Sequence, residues 1–262
     1  MPNLVTLKPI LYWAGVAVFL LLELRFSYRP DTVSKRRRWL ANLPLSILNG
    51  IAYHGLFAGA ITLLLVHTVR NEQGLLNLVA MPGWLKVGLG VLLLDFSIWL
   101  WHLLNHVVPL LWRFHRVHHS DMNMDVSTSN RFHPGEILLS GLVRLAVIHT
   151  FGIPLLSYLL FEILVNLSIQ FHHSSIRVHH GFEKVWALLL VPPFLHRVHH
   201  SVRIRERDAN YGVIFSLWDR LFGTLRTEVD QEGIVIGIGS HRDFDRLGLG
   251  QLLAMPFSRY TP

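Results

Sequence analysis

Two identical stretches stand out in the sequence: His115-Arg116-Val117-His118-His119-Ser120 and His196-Arg197-Val198-His199-His200-Ser201. Within each stretch the histidines are spaced i, i+3 and i+4, so a helix places all three imidazoles on one face. Such a triplet is a metal-ligand arrangement. One copy could arise by chance in a chain with 17 histidines, but two identical copies indicate a metal site.

The composition predicts a membrane protein. Apolar residues make up 51% of the 262 residues, and the mean hydropathy is positive. The formal charge is +7, but the basic residues lie beside apolar segments and form no nucleic-acid-reading motif, so anionic lipid headgroups explain them better. The chain has no cysteine, so a metal site depends on histidine and carboxylate ligands.

Four apolar regions resemble membrane spans: residues 10–24, 39–69, 84–108 and 137–171. The second contains no Asp, Glu, Lys or Arg and exceeds the roughly 20 residues that cross a bilayer. The last suits a helical hairpin, or one span preceded by an interfacial helix. The hairpin is favoured if the histidine clusters on its two flanks share a side. We therefore predict an all-α integral membrane protein with about four transmembrane helices.

Basic residues around these regions predict the orientation. Only Lys8 precedes the first span, whereas Arg25, Arg29 and the block at 35–38 follow it. The positive-inside rule places residues 28–38 in the cytoplasm. The third span then returns the chain to the cytoplasm, so we expect a histidine-rich helical cap, with the active site, on that side.

The chain contains no long linker and no low-complexity tract. We therefore predict a single membrane domain over residues 1–262. Its parts are two N-terminal transmembrane helices in 1–83, a catalytic histidine-box region in 84–225 and a C-terminal tail in 226–262.

The third apolar region carries its own ionisable residues. Asp95, Trp99, His102 and His106 are spaced 4, 3 and 4, so they line one stripe of a helix. Ionisable residues inside a membrane span are functional-site candidates, because burying them unpaired is costly. Carboxylates that could orient ligand imidazoles are Asp95, Asp121, Asp125 and Glu136.

Together with the two triplets, His102 and His106 make eight clustered imidazoles. One zinc ion uses three or four protein ligands, so this number predicts two metals. Imidazole suits iron, zinc, copper and nickel about equally. Hydrolytic two-metal sites usually recruit carboxylates, and few acids lie in these motifs. The residues therefore favour dioxygen chemistry on the C–H bonds of a lipid.

The wider motif set is the run from Trp101-His102-Leu-Leu-Asn-His106 to the first triplet, with Arg131-Phe-His-Pro, Asn210-Tyr-Gly and Trp218-Asp-Arg-Leu-Phe-Gly-Thr. Between about residues 90 and 225 these motifs resemble the fatty acid hydroxylase / sterol desaturase superfamily. The resemblance implies membrane spans that support a cytoplasmic histidine-rich cap. It also implies a non-haem di-iron oxidase that uses dioxygen and two external electrons.

The family's histidine boxes match these residues of the chain: His102, His106, His115, His118, His119, His196, His199 and His200. A further family histidine lies between the last two boxes, and His173 fits its register, although Ser175 replaces the usual asparagine. His172, His179 or His180 could provide that ligand instead. His133 has a ligand or a structural role, and Asn210 a contact with a ligand imidazole or a role in a turn.

The resemblance also implies a function. Two iron ions, with zinc as a possible substitute, would use dioxygen to hydroxylate or desaturate a sterol, fatty acyl or related lipid. A separate reductase, cytochrome or ferredoxin would supply electrons, and no nucleic acid is involved. The alternative is a histidine-rich membrane metal-binding or metal-transport protein, which should place its ligands along a path near the bilayer midplane. A di-haem carrier fits less well, because haem needs paired axial histidines on facing helices.

Overall fold

The structure, a computed structural model, describes residues 2–258. Over this range the protein is helical, with three isolated β-bridges and no β-strand. Five helical segments are long and apolar enough to cross a membrane. The all-α membrane fold predicted from the sequence is confirmed.

The first two membrane segments begin and end near the basic residues. Helix α1 spans Pro2–Arg25. Helix α2 (Lys35–Tyr53) begins after Ser34, whose hydroxyl accepts a backbone N–H hydrogen bond of the first turn. A π-helical segment (His54–Ala58) continues it into α3 (Gly59–Arg70). At 1.5 Å per residue this run is about 54 Å long, more than a bilayer core of about 30 Å. Its first turns belong to the cap, because Arg38 and Asn42 in these turns form hydrogen bonds with residues 121–131.

A sharp turn joins the third membrane helix to the first cap helix. Helix α4 (Gly83–Val107) ends at Val108, whose backbone is extended, and α5 (Pro109–His119) follows directly. Proline is favourable at the first helical position, because the N–H that it lacks would be unpaired there. The turn folds the last turn of α4 against α5, and the rings of His102 and His115 lie 5.0 Å apart.

The region 137–171 is a helical hairpin. Helix α6 (Pro134–Phe151) ends at Gly152, and α7 (Leu155–His173) runs back to the cap. Gly152 has a φ of 64°, a left-handed conformation that favours glycine. This region therefore supplies two of the five candidate membrane helices, as the hairpin favoured from the sequence requires, and the fold agrees with the prediction of about four transmembrane helices.

One apolar core joins the membrane helices α3, α4, α6 and α7. Buried members of this core include Ile61, Leu65, Leu94, Ile148, Phe161 and Val165. Val213 and Ile214 of the cap insert into the same core, so the cap and the membrane bundle share one packed interior.

Short helices form the cap. The α-helices are α8 (His180–Trp186), α9 (Pro193–His199), α10 (Ile204–Arg207), α11 (Leu217–Leu221) and α12 (Leu249–Ala254). The 3₁₀ segments of the cap are Thr128–Asn130, Phe244–Arg246 and Met255–Phe257, whereas a fourth, Leu75–Asn77, joins α3 to α4 at the opposite end of the bundle, near Gly152.

The described part of the predicted C-terminal tail belongs to the cap. Leu252 of α12 is fully buried in one apolar cluster with Val117, which lies inside the first histidine triplet. Residues 259–262 of that tail, like Met1, lie outside the described residues. The C-terminal segment therefore covers the helix that carries the triplet.

A buried ion-pair network ties α2 to the loop after the first triplet. Arg38 is fully buried, with Nε 2.6 Å from Asp121 Oδ1 and Nη1 2.8 Å from Asp125 Oδ2. Burial alone would raise the pKa of Asp121, but the charge and hydrogen bonds of Arg38 lower it well below its ordinary value. Asp121 and Asp125 therefore hold the loop to α2, which differs from the imidazole-orienting role considered from the sequence.

We expect Arg38→Ala to destabilise the protein by about 3–5 kcal/mol, because it leaves buried Asp121 without its ion pair and Asp125 with only the ion pair to Lys35 at 3.4 Å. Thermal unfolding of the purified protein in detergent measures the change. Arg36→Ala is the matched control, since Arg36 is exposed in the same turn and its loss should cost less than about 0.5 kcal/mol. Equal unfolding temperatures for the two variants would contradict the importance of the network.

Candidate metal centre

The structure brings nine of the predicted ligand histidines together at the cap end of the membrane helices. They form two groups, and within each group one ring nitrogen per histidine lies within 4.8 Å of all the others. Group one consists of His102, His106, His115, His119 and His199. Group two consists of His118, His173, His196 and His200.

Each histidine triplet is divided between the two groups. The first triplet gives its i and i+4 histidines to group one and its i+3 histidine, His118, to group two. The second triplet does the reverse, with His199 in group one. The rings of His119 and His200 stack at 4.4 Å where the groups meet. The triplet positions that contribute to group one in the first repeat therefore contribute to group two in the second repeat, and the reverse.

In group one, hydrogen bonds fix the rings from behind. His102 Nδ1 donates to the Tyr211 carbonyl at 2.8 Å, and His199 Nδ1 donates to the Ala209 carbonyl at 2.8 Å. The opposite nitrogen, Nε2, of both rings is buried and has no hydrogen-bond partner among the described residues. A histidine whose Nδ1 carries the proton presents a bare lone pair at Nε2. Both lone pairs are thus available to a metal.

Carboxylates fix two more rings of group one. His115 Nδ1 donates to Glu136 Oε1 at 2.8 Å, and His106 Nδ1 donates to Asp208 Oδ1 at 3.2 Å. Such partners orient a ligand imidazole and raise its basicity. Of the carboxylates considered from the sequence, Glu136 has the expected contact, whereas Asp208 was missed.

In group two, ring nitrogens approach each other directly. His173 Nδ1 donates to the Ile169 carbonyl at 2.8 Å, so its Nε2 is a bare acceptor. That Nε2 lies 3.1 Å from His118 Nε2 and 2.9 Å from His196 Nε2. His196 Nε2 also lies 3.1 Å from His200 Nε2. Linear hydrogen bonds between neutral rings cannot satisfy all three contacts, because an Nε2 that donates a proton has no lone pair with which to accept another.

A metal ion would satisfy these nitrogens. Imidazole nitrogens bind zinc at 2.0–2.1 Å, and bonds of that length put two ligands about 2.9 Å apart at the right angle of octahedral coordination and about 3.4 Å apart at the tetrahedral angle. The observed N···N separations of 2.9–3.2 Å lie within this range. The residues of both groups therefore fit the two metals that the sequence predicts.

Burial keeps the cap imidazoles neutral. The pKa values of His118, His119, His196, His199 and His200 are lowered well below the ordinary value, first by burial and then by neighbouring imidazoles. Metal binding requires deprotonated ligands, so these rings are in the form that can coordinate a metal.

The remaining predicted histidines occupy different places. His172 is buried beside group two, with its ring 4.0 Å from that of His196, and its ligand role stays a prediction. His133 uses both ring nitrogens, since Nδ1 accepts from Gly135 N and Nε2 donates to the Leu253 carbonyl. No lone pair of His133 remains for a metal.

His179 and His180 are exposed and lie outside both groups. His179 Nδ1 accepts the Gly181 N–H at the start of α8, so it serves as a helix cap. Of the four alternative ligands, only His172 is buried beside a group.

Asp95 does not contact a ligand imidazole in the described structure. Its carboxylate accepts hydrogen bonds from Trp218 Nε1 at 2.8 Å and from the backbone N–H groups of Ile214 and Phe215. The physical reason is distance, since Asp95 lies two helical turns, about 10 Å, before His102 on the same stripe. Asp95 instead holds the cap segment whose carbonyl groups orient the rings.

Asn210 also acts one step away from the rings. Its side-chain amide donates to the carbonyl groups of Leu195 and Arg226, and its backbone has a φ of 56°. The carbonyl groups on either side, those of Ala209 and Tyr211, accept from ligand imidazoles. The direct imidazole contact considered for Asn210 is replaced by a role in shaping this turn.

A cavity of about 190 Å³ extends from the imidazoles into the membrane bundle. Histidines of both groups line one end, among them His102, His115, His118, His173 and His196. Apolar side chains of α4, α6 and α7 line much of the rest, including Leu94, Ile98, Ile137, Val143, Phe161 and Ile169. The cavity therefore connects the metal-binding nitrogens with a largely apolar space at membrane level.

Comparison with known proteins supports the resemblance seen in the motifs. The family model described as fatty acid hydroxylase matches residues 87–224. Ornithine lipid hydroxylase OlsE of Rhizobium tropici is 31% identical over 180 residues, covering 68% of this chain and 52% of that protein. The cholesterol 25-hydroxylase-like protein of Danio rerio is 34% identical over 155 residues, or 56% of this chain and 59% of the relative.

Human alkylglycerol monooxygenase is 27% identical over 160 residues, covering 59% of this chain and 33% of the relative. The chain thus spans between a third and three fifths of the length of these three relatives. No solved structure matches the chain.

Because each histidine belongs to only one of the two groups, we expect a single substitution to remove one metal and leave the other. His102→Ala in group one and His173→Ala in group two should each lower the metal content from about two to about one per chain. Elemental analysis of protein purified after growth with excess iron measures the ratio. His180→Ala, an exposed histidine outside both groups, should leave it unchanged. If fully loaded wild-type protein held fewer than two metal ions per chain, the prediction that each histidine group binds one metal ion would be wrong.

Proposed function

This chain belongs to the fatty acid hydroxylase family, and we propose that it is an integral-membrane lipid hydroxylase that uses dioxygen. The observation that carries the proposal is the cavity that links the nine clustered imidazoles with an apolar space between α4, α6 and α7. Apolar walls at membrane level suit an aliphatic chain, which offers little except C–H bonds to attack.

We propose that the nine histidines of groups one and two hold two iron ions, with zinc as a substitute that imidazole also accepts. When bound, the iron ions would supply the redox chemistry that activates dioxygen. The absence of cysteine and the all-imidazole character of group two support iron and dioxygen over sulfur-based or carboxylate-bridged chemistry.

The protein's own residues would then position the reaction. The Tyr211 and Ala209 carbonyl groups and the Glu136 carboxylate hold three rings in place, so the ligand nitrogens keep their spacing while the lipid enters. The apolar wall of the cavity presents one methylene to the site and keeps water away from the oxidant. Hydroxylation consumes one dioxygen, two electrons and two protons for each C–H bond, and it releases one water.

The apolar cavity and the names of the relatives support a lipid as the substrate. The names of the relatives include an ornithine lipid, cholesterol and an alkylglycerol, and the enzymes are called hydroxylases or monooxygenases. We propose a sterol, fatty acyl or related lipid as substrate and hydroxylation as the reaction, with desaturation as its variant.

We propose that the cap faces the cytoplasm and receives electrons from a separate redox protein of the reductase, cytochrome or ferredoxin type. The basic block at residues 35–38 supports this orientation, because it lies where α2 enters the cap. A metal-transport role would favour ligands spread along the membrane path. The gathering of nine imidazoles at one end of the bundle supports oxidation instead.

We expect cells that produce the wild-type protein under isotopically heavy dioxygen to gain hydroxylated lipids that carry the label. His118→Ala should abolish these lipids, because it removes a lone pair from group two, whereas His180→Ala should keep them. Mass spectrometry of total lipid extracts measures the outcome. Identical lipid profiles for wild type and His118→Ala, with a functional electron donor present, would count against the proposal.

Filling the cavity should separate lipid binding from metal binding. Ser140 lines the cavity on α6, so Ser140→Phe should lower the yield of hydroxylated lipid at least about tenfold, with unchanged metal content. Leu142→Phe is the matched control, since Leu142 lies on the same helix but is 58% exposed on its outer side. An unchanged yield with Ser140→Phe would show that the lipid binds elsewhere.

A further inference from the structure

The cap exposes large apolar side chains in two short segments, residues 182–189 and 217–222. The exposed fractions reach 69% for Val185, 68% for Leu188 and 66% for Leu221. The full set comprises Phe182, Val185, Leu188, Leu189, Leu217, Leu221 and Phe222. We call these seven residues the apolar patch. Water-exposed patches of this kind usually mark an interaction surface.

Hydrogen bonds hold the two segments of the apolar patch side by side. Ser216 donates its backbone N–H to the Leu189 carbonyl at 3.0 Å and its hydroxyl to the Ala187 carbonyl at 2.7 Å. The Val191 N–H donates to the Ile214 carbonyl at 3.1 Å, next to the isolated bridge between Leu190 and Phe215. The patch is therefore one surface built from both segments.

The charges of these segments are sorted by sign. Both acidic residues point inward: Glu183 is 7% exposed and accepts the Phe194 N–H, and Asp219 is 1% exposed. Both basic residues, Lys184 and Arg220, are exposed. The outer surface thus combines apolar side chains with cations and lacks exposed carboxylates. This combination is typical of a surface that lies on anionic lipid headgroups.

The apolar patch lies beside a membrane helix. The ring of Phe222 stacks on that of Trp99 in α4 at 4.7 Å, and Trp218 packs on Phe96 of α4 at 5.0 Å. Phe96 is six residues before His102, so it lies about 9 Å further from the cap than the first ligand. The patch is therefore continuous with the side of α4 at a depth that the membrane reaches.

We infer that the apolar patch inserts into the membrane leaflet that the cap faces, with Lys184 and Arg220 at its headgroups. This partner is a lipid surface, and the cap rests on it in addition to the five membrane helices. Insertion removes seven large apolar side chains from water, and the hydrophobic effect favours each of these transfers. The inference rests on the membrane location of the chain and is independent of its oxidation chemistry.

Single cysteines can test this directly, because the chain has none of its own. The full-length variants Leu188→Cys and Leu221→Cys are reconstituted in nanodiscs of phosphatidylcholine and phosphatidylglycerol. The rate of labelling by a membrane-impermeant maleimide is then measured. Glu232→Cys, an exposed position in a polar loop of the cap, is the matched control. A second measurement attaches bimane to each thiol and records quenching by phosphatidylcholine with a nitroxide on its acyl chain.

We expect both patch thiols to react at least about tenfold more slowly than the control thiol, and their bimane to be quenched by the nitroxide lipid. Equal labelling rates for all three thiols would overturn the inference, since the patch would then face water. Slow labelling without quenching, together with a cross-link between the patch thiols of two chains in one disc, would also overturn the inference. The patch would then be a contact between two copies of the chain. Neither readout requires bound metal or activity. The two experiments can therefore fail independently, and a negative lipid assay would not change the interpretation of the labelling result.

Discussion

The structure depends on keeping nine imidazoles buried and close together. In group two, Nε2 atoms approach within 2.9–3.1 Å, and hydrogen bonds between neutral rings cannot satisfy all of these contacts. Burial also lowers the pKa values of the cap histidines, so protonation of these rings does not satisfy the contacts either, and the conflict between the unpaired nitrogens remains. A metal ion that accepts the lone pairs would remove it, so the proposed metals would also stabilise the fold.

The rest of the cap holds these rings in position. Two carbonyl groups on either side of Asn210, those of Ala209 and Tyr211, orient one ring from each of two different helices. The segment that carries them is anchored by buried carboxylates: Asp95 accepts from Ile214 N, and Asp219 accepts from Tyr211 N and Gly212 N. Asp95, deep in α4, thereby helps to position the clustered imidazoles through the backbone of the cap. Buried networks of this kind position a site when every member is satisfied.

The membrane has two different roles in this architecture. The bundle encloses an apolar cavity that opens onto the imidazoles, and Val213 of the cap closes part of its wall. The cap also carries the apolar patch on its outside, at the level of α4. An aliphatic substrate and the inserted patch would then share one environment, so the lipid need not cross water to reach the site. The ion pairs of Arg38 hold the cap to α2 on another side.

The all-α membrane fold and eight of the nine clustered histidines follow from the sequence, because hydropathy and helical spacing are local properties of the chain, whereas His173 was indicated only by the family resemblance. The hairpin at 137–171 was only favoured, since its turn depends on Gly152 reaching a positive φ. The sequence placed Asp95 on the same face of α4 as His102 and suggested a contact with a ligand imidazole, whereas its partners are Trp218 and two backbone N–H groups. Helical spacing shows which side of a helix a residue faces, but it does not show what the residue contacts at that depth. Tertiary structure alone decided which histidine of each triplet enters which group. That partition depends on how α5 and α9 face each other, and the acceptors behind the rings are largely backbone carbonyl groups, which every residue has and no sequence pattern distinguishes.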